Sequence, residues 1–149
     1  MLNTMEKTIP CVMLIDDDFA TNIYNEVIIE DTGYVDKIIV HDSVEDALEY
    51  LKASFTTDHP RPDLIFLDIN MPTMNGWDFL EAYSKFIDKA SPSNKIVMLS
   101  TTSDEGEIEK AEGIPILNAI KSKPLTPEIV EEIVSTLFTP KEFLQGGGQ

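Results

Sequence analysis

Three four-residue runs, Val12-Met13-Leu14-Ile15, Leu64-Ile65-Phe66-Leu67 and Ile96-Val97-Met98-Leu99, are apolar at every position and then break into polar residues. A strand with one face in water alternates apolar and polar side chains. A run without alternation fits a strand covered on both faces, as in a parallel sheet. Lys37-Ile38-Ile39-Val40 and a weaker run from Ile116 to Lys121 add two further strands. Between the runs, apolar residues recur at helical spacing. Phe19, Ile23 and Val27, widened by Tyr24 and Ile28, form an apolar stripe that ends at Thr32-Gly33, where Gly supplies a C-cap. Val44, Ala47, Leu48 and Leu51 follow Ser43, a cap with Asp46 three residues on. Trp77, Leu80, Tyr83 and Ile87 mark a third helix, broken by Ser91-Pro92, and Ser103-Asp104 start a short acidic one that stops near Gly113 and Pro115. Thr126 and Pro127 open the last, with Val130, Ile133, Val134 and Leu137 on its buried stripe. Strict alternation of strand and helix predicts an α/β fold: a doubly wound, five-stranded parallel sheet with five helices on its two faces.

The chain has 149 residues, enough for one domain with a core that needs no disulfide. We expect a flexible N-terminus over 1–9, a folded domain over 10–139 and a flexible tail over 140–149. Acidic residues number 27 against 11 basic ones, a formal charge of −16. Such a surface repels phosphate backbones and anionic lipid, which argues against direct nucleic-acid or membrane-surface binding. Cys11 is the only cysteine, there is no signal-like segment, and no run approaches the length of a membrane span. A cytoplasmic location is the expectation.

In an open α/β sheet, ligands sit beyond the carboxyl ends of the strands. The first run ends in Asp16-Asp17-Asp18, the third in Asp68, the fourth in Ser100-Thr101, and the fifth leads into Lys123-Pro124. If strands one and three are neighbours, Asp16, Asp17 and Asp68 converge, and three carboxylates in one cleft require a proton or a cation. Hard oxygen ligands with room for water suit Mg²⁺. A metal ion, a lysine and a hydroxyl around a carboxylate make a site for phosphate, and the economical chemistry is attack of that carboxylate on phosphorus to give an acyl phosphate.

These segments, with Leu67-Asp68-Ile69-Asn70-Met71-Pro72-Thr73-Met74-Asn75-Gly76 the most specific, resemble the receiver domain of two-component response regulators. The resemblance covers about residues 11–139. It implies a flavodoxin-like sheet of strand order 2-1-3-4-5. It further implies that Asp68 is the phosphoacceptor, and that Asp17, Asp68 and the backbone carbonyl of Asn70 ligate Mg²⁺, with Asp16 helping directly or through water. Ser100 would hydrogen-bond one phosphoryl oxygen and Lys123 pair with another, the Lys123–Pro124 bond often being cis. Asp18 reads as a helix N-terminal acid. The partners implied are a sensor histidine kinase or histidine phosphotransferase and a downstream protein, with the first helix helping to dock the donor. A single-domain, monomeric or weakly dimeric signalling protein is expected, not an enzyme. Two departures stand out. Most receivers carry Tyr or Phe three residues before the lysine, where this chain has Ile120, and an aliphatic side chain cannot reproduce the aromatic rotation of the usual switch. Gly113-Ile114-Pro115 also replaces the usual Gly-Ala before strand five.

Other features have plainer readings. Glu105, Glu107, Glu109 and Glu112 read as a solvated helix face, Trp77, Tyr83 and Phe86 as core, and His41 and His59 as residues without assigned chemistry. Three rival functions fit less of the pattern. A haloacid-dehalogenase-type phosphatase would use Asp16-x-Asp18 but leaves Asp68 and the Met71-Pro72 turn unexplained. A flavin carrier would need phosphate-binding donors where three aspartates stand. A receiver that is never phosphorylated would not need the complete set of site residues.

Overall fold

The computed structural model describes residues 9–85, 94–101 and 105–138. Five strands and five helices alternate: β1 (Ile9–Ile15), α1 (Phe19–Thr32), β2 (Val35–His41), α2 (Val44–Ser54), β3 (Leu64–Asp68), α3 (Gly76–Ser84), β4 (Lys95–Ser100), α4 (Glu105–Glu112), β5 (Ala119–Ser122) and α5 (Pro127–Leu137). The strands form one parallel sheet in the order β2-β1-β3-β4-β5, as the resemblance implied. Ile87 and Phe86, Ser91-Pro92 and Ser103-Asp104 lie outside the described residues.

The uninterrupted apolar runs are explained by helices on both sides. Met13, Ile15, Ile65, Leu67, Ile96 and Met98 point into one core layer with Val44, Ala47 and Leu51 of α2, Phe79 and Tyr83 of α3, and Ala111 of α4. Val12, Leu14, Leu64, Phe66, Val97 and Leu99 point the other way, against Ile29 of α1 and Val130 and Ile133 of α5. Successive side chains of a strand take opposite faces, so with both faces covered every position must be apolar.

The caps follow the sequence. Ser43 accepts from the Asp46 N–H at 3.1 Å, and Thr126 accepts from the Ile129 N–H at 3.1 Å, with Pro127 opening α5. Gly33 closes α1 in the left-handed region at φ 77, where a side chain would be strained.

Three details differ from the sequence reading. β1 starts at Ile9, which is fully buried and pairs with Val35 of β2. β5 is only Ala119–Ser122; before it, a turn from Ile114 to Leu117 leads to Asn118, which accepts the Ile96 N–H on its side-chain oxygen and returns its own N–H to the Ile96 carbonyl. The largest difference is α1. Its buried residues are Asn22, Asn25 and Ile29, whereas Phe19, Ile23 and Val27 are 78%, 45% and 50% exposed. The stripe at helical spacing is real, but Phe19, Ile23 and Val27 face solvent, while Ile28 packs against the core and the Tyr24 hydroxyl donates to the Leu125 carbonyl. Asn22 is drawn inward because its side-chain N–H donates to the buried carbonyl of Asp16 at 2.8 Å.

Candidate functional site

Strand register builds the site. Ile15 of β1 lies opposite Leu67 of β3, so the residues that follow, Asp16 and Asp68, leave the sheet side by side. Asp68 pairs with Leu99, which places Ser100 one step beyond at the end of β4. Ser100 in turn pairs with Ser122, one residue before Lys123. The backbone N–H of Lys123 also donates to the Ser100 carbonyl at 2.7 Å. Four chain segments far apart in sequence therefore reach one rim through ladder geometry alone.

The side chains then meet. Lys123 Nζ lies 3.0 Å from Asp16 Oδ2 and 3.0 Å from Asp68 Oδ1. One carboxylate oxygen each of Asp16, Asp17 and Asp68 lies within 4.8 Å of the others. Asp16 and Asp68 are buried and Asp17 is exposed, so the cluster opens to solvent on one side. The other oxygen of Asp16 accepts the Asp18 N–H at 2.9 Å, which fixes the carboxylate plane. Asp18 itself caps α1 by accepting from the Thr21 N–H, in keeping with its reading as a helix N-terminal acid.

Charge balance in the cluster is incomplete. Burial pushes the Asp68 carboxyl above its ordinary pKa; hydrogen bonds from Lys123 and the Asn70 N–H pull it down, and the Asp16 charge pushes it up again. For Lys123, burial works against the ammonium form, yet bonds to Asp68 and Asp16 and their charges outweigh it and raise its pKa. One ammonium thus stands against a cluster of three carboxylates and pairs with two of them, Asp16 and Asp68. An all-oxygen donor set, part buried and part open, with an uncompensated charge, fits a hard divalent cation that keeps some of its water.

The loop after β3 is held tightly. Gly76 donates its N–H to the Ile69 carbonyl at 2.9 Å, and Asn75 and Asp78 cap each other's backbone at 2.9 and 3.0 Å. Thr73 within it sits at φ 68, a costly conformation for a β-branched residue. The Lys123–Pro124 peptide is cis.

Of the residues singled out from sequence, Asp16, Asp17, Asp68 and Lys123 come together, and Asn70 meets Asp68 through its backbone N–H rather than through the carbonyl expected as a ligand. Ser100 is 1% exposed, and its hydroxyl donates to Glu107 Oε1 of α4 at 2.8 Å. Glu107 is half-buried, unlike the solvated glutamate the sequence suggested. Ile120 on β5 is half-buried against the core layer below α4. Sequence reasoning missed Glu107 and Asn22. The inward face of α1 was signalled by the Asn22, Asn25, Ile29 spacing, which hydrophobicity alone passes over.

Comparison with known proteins gives one consistent picture. The profile of the response regulator receiver domain matches residues 12–135. The sensory transduction protein LytT of Bacillus cereus is 32% identical over 126 residues, covering 85% of this chain and 45% of LytT. The chemotaxis protein CheY of Listeria monocytogenes is 29% identical over 100 residues, covering 67% of this chain and 75% of that one. The chain spans less than half of the first curated relatives it matches, 23% for a protein-glutamate methylesterase of Burkholderia thailandensis and 45% for LytT. Among solved structures, a two-component response regulator from Cytophaga hutchinsonii superposes with a TM-score of 0.80 at 29% identity, covering 87% of this chain and 96% of the other.

Proposed function

The chain belongs to the response regulator receiver domain family, and on that premise we propose that Asp68 accepts a phosphoryl group from a histidine kinase or histidine phosphotransferase. The carrying observation is Lys123 Nζ at 3.0 Å from both Asp16 and Asp68, beside a third carboxylate on the open side. A carboxylate oxygen of Asp68 attacks phosphorus, the bond from phosphorus to the donor breaks, and the donor leaves with the electron pair. Water later attacks the same phosphorus, releasing orthophosphate and restoring the carboxylate.

The chain's own residues position the reactants and neutralise charge. Lys123, released in part from Asp68 when that oxygen becomes the bridging oxygen of the acyl phosphate, turns its ammonium to the phosphoryl oxygens. Ser100 donates its hydroxyl proton to another. Asp16 and Asp17, with Asp68 and the Asn70 carbonyl, would hold Mg²⁺, which supplies positive charge to the anionic phosphoryl oxygens when bound. The donor docks beside the site on the exposed apolar face of α1, where Phe19 follows Asp18 directly and Ile23 lies one turn further on. Output runs through an unidentified downstream protein, or the domain acts as a carrier or sink for phosphate; a cytoplasmic setting suits both. Among the described residues no helix is long and apolar enough to cross a membrane.

The test is phosphate incorporation from a small phosphodonor such as acetyl phosphate. With Mg²⁺ present, the protein should take up one alkali-labile phosphate, and Asp68→Asn should abolish it. Undiminished labelling of that variant would move the acceptor elsewhere.

A further inference from the structure

The Ser100 hydroxyl has one proton to give. In this structure it gives it to Glu107 Oε1 at 2.8 Å, across the β4–α4 connection. The same proton is the one a phosphoryl oxygen on Asp68 would accept. We propose that Glu107 is a positioning residue of the phosphoryl site: it holds the Ser100 proton on α4, and phosphorylation of Asp68 takes that proton over and releases the helix. The inference rests on the phosphoacceptor reading above.

The rest of α4 makes such a tether consequential. Among its eight residues only Ala111 is buried, and Ile108 is 39% exposed. Lys110 lies over the Trp77 ring at 4.5 Å. Helices with so little buried surface open at low cost. Ser100 itself is buried, so its hydroxyl cannot turn to bulk water, and a bond to an ionised acceptor is stronger than one to a neutral oxygen. A phosphoryl group brings more negative charge to the same hydroxyl and repels the Glu107 carboxylate, so exchange of acceptor and departure of α4 favour each other. Ile120, which carries no hydroxyl, borders the groove between α4 and β5 with Ile108 and Ala111. Where the family's aromatic residue would report on the site, this chain places a carboxylate on α4.

Beryllofluoride with Mg²⁺ serves as the phosphoryl probe, with affinities measured for the wild type, Glu107→Ala, Ser100→Ala and the double variant. Glu107→Ala should bind about fivefold more tightly than the wild type, because a competing charge-assisted bond is gone. In the Ser100→Ala background the same substitution should gain clearly less, only what relief of the charge repulsion gives. Amide exchange over 105–112 should be faster in unliganded Glu107→Ala, and the wild type should reach the same rate once beryllofluoride saturates it. A gain of equal size without the Ser100 hydroxyl would assign the effect to charge alone and overturn the proposal, as would α4 exchange that does not rise on binding. A wild type that binds no beryllofluoride would overturn the phosphoacceptor reading and the competition with it; binding without coupling overturns the competition alone.

Discussion

A Cβ added to Gly76 would lie 2.7 Å from the backbone carbonyl oxygen of Asp68. The same atom would meet the Met98 methyl at 2.8 Å and the Ile69 Cα at 3.1 Å. The Met98 tip can swing away, but the Asp68 and Ile69 backbone cannot without moving the candidate phosphoacceptor. Gly76 is thus required for packing α3 against the end of β3, not for an unusual φ.

Gly76→Ala should therefore destabilise the fold by about 2 kcal/mol, the usual cost of overpacking, and should slow phosphorylation more than that loss of folded population explains. Urea unfolding with a parallel labelling time course measures both. Wild-type labelling rates in a destabilised variant would show that the strain is relieved away from Asp68.

Asp68 has a consequence for pH. Its folded pKa is raised, chiefly by burial, so its protonated form suits the fold better than its ionised form. The stability it contributes is fully present below the ordinary carboxylate pKa and is lost as pH rises through the raised value. Asp68→Asn does not titrate there. Its melting temperature should gain on that of the wild type as pH rises from the acid side to neutrality, and saturating Mg²⁺ should then close the gap by stabilising the ionised form. Carboxylates away from the cluster titrate alike in both proteins, so the difference reports on Asp68 together with the Asp16 and Lys123 it is coupled to. A gap that narrows with rising pH without metal would contradict the assigned environment.

The outward face of α1 gives a third expectation. Ile23 is 45% exposed, so Ile23→Ser should alter stability by no more than about 0.5 kcal/mol. If a donor protein seats on this face, the same change should slow phosphotransfer from that donor about tenfold, as loss of an apolar anchor does. Labelling by acetyl phosphate should be untouched. Equal slowing with both donors would place the defect in the site and not in docking.

The sheet was readable because its central strands are covered on both faces, which forces runs such as Leu64–Leu67 to be apolar throughout. The ends of the apolar runs located Asp16, Asp68 and Ser100, with Lys123 after the weaker fifth run, but that these ends are neighbours came from the strand order the resemblance implied, which the ladder register then realises. The orientation of α1 was not readable. Periodicity locates an apolar face but cannot tell whether the core or a surface takes it, and here a buried hydrogen bond from Asn22 to the Asp16 carbonyl goes with the opposite choice. Glu107 was unreadable for a related reason. Its partner lies seven residues back at the end of another element, and no local pattern distinguishes it from Glu105 or Glu109.

The ion pair of Lys123 with Asp16 joins residues 107 positions apart. Asp16 is contributed by the second strand from one edge of the sheet and Lys123 by the segment leaving the strand at the other edge. No supersecondary fragment contains both. The Asp16–Lys123 contact therefore forms only when β1, β3, β4 and β5 stand side by side, so on the phosphoacceptor reading competence to take phosphate reports on the assembly of those four strands. On that reading, a nascent chain that carries Asp68 but has not yet joined β5 to the sheet would be silent to its donor.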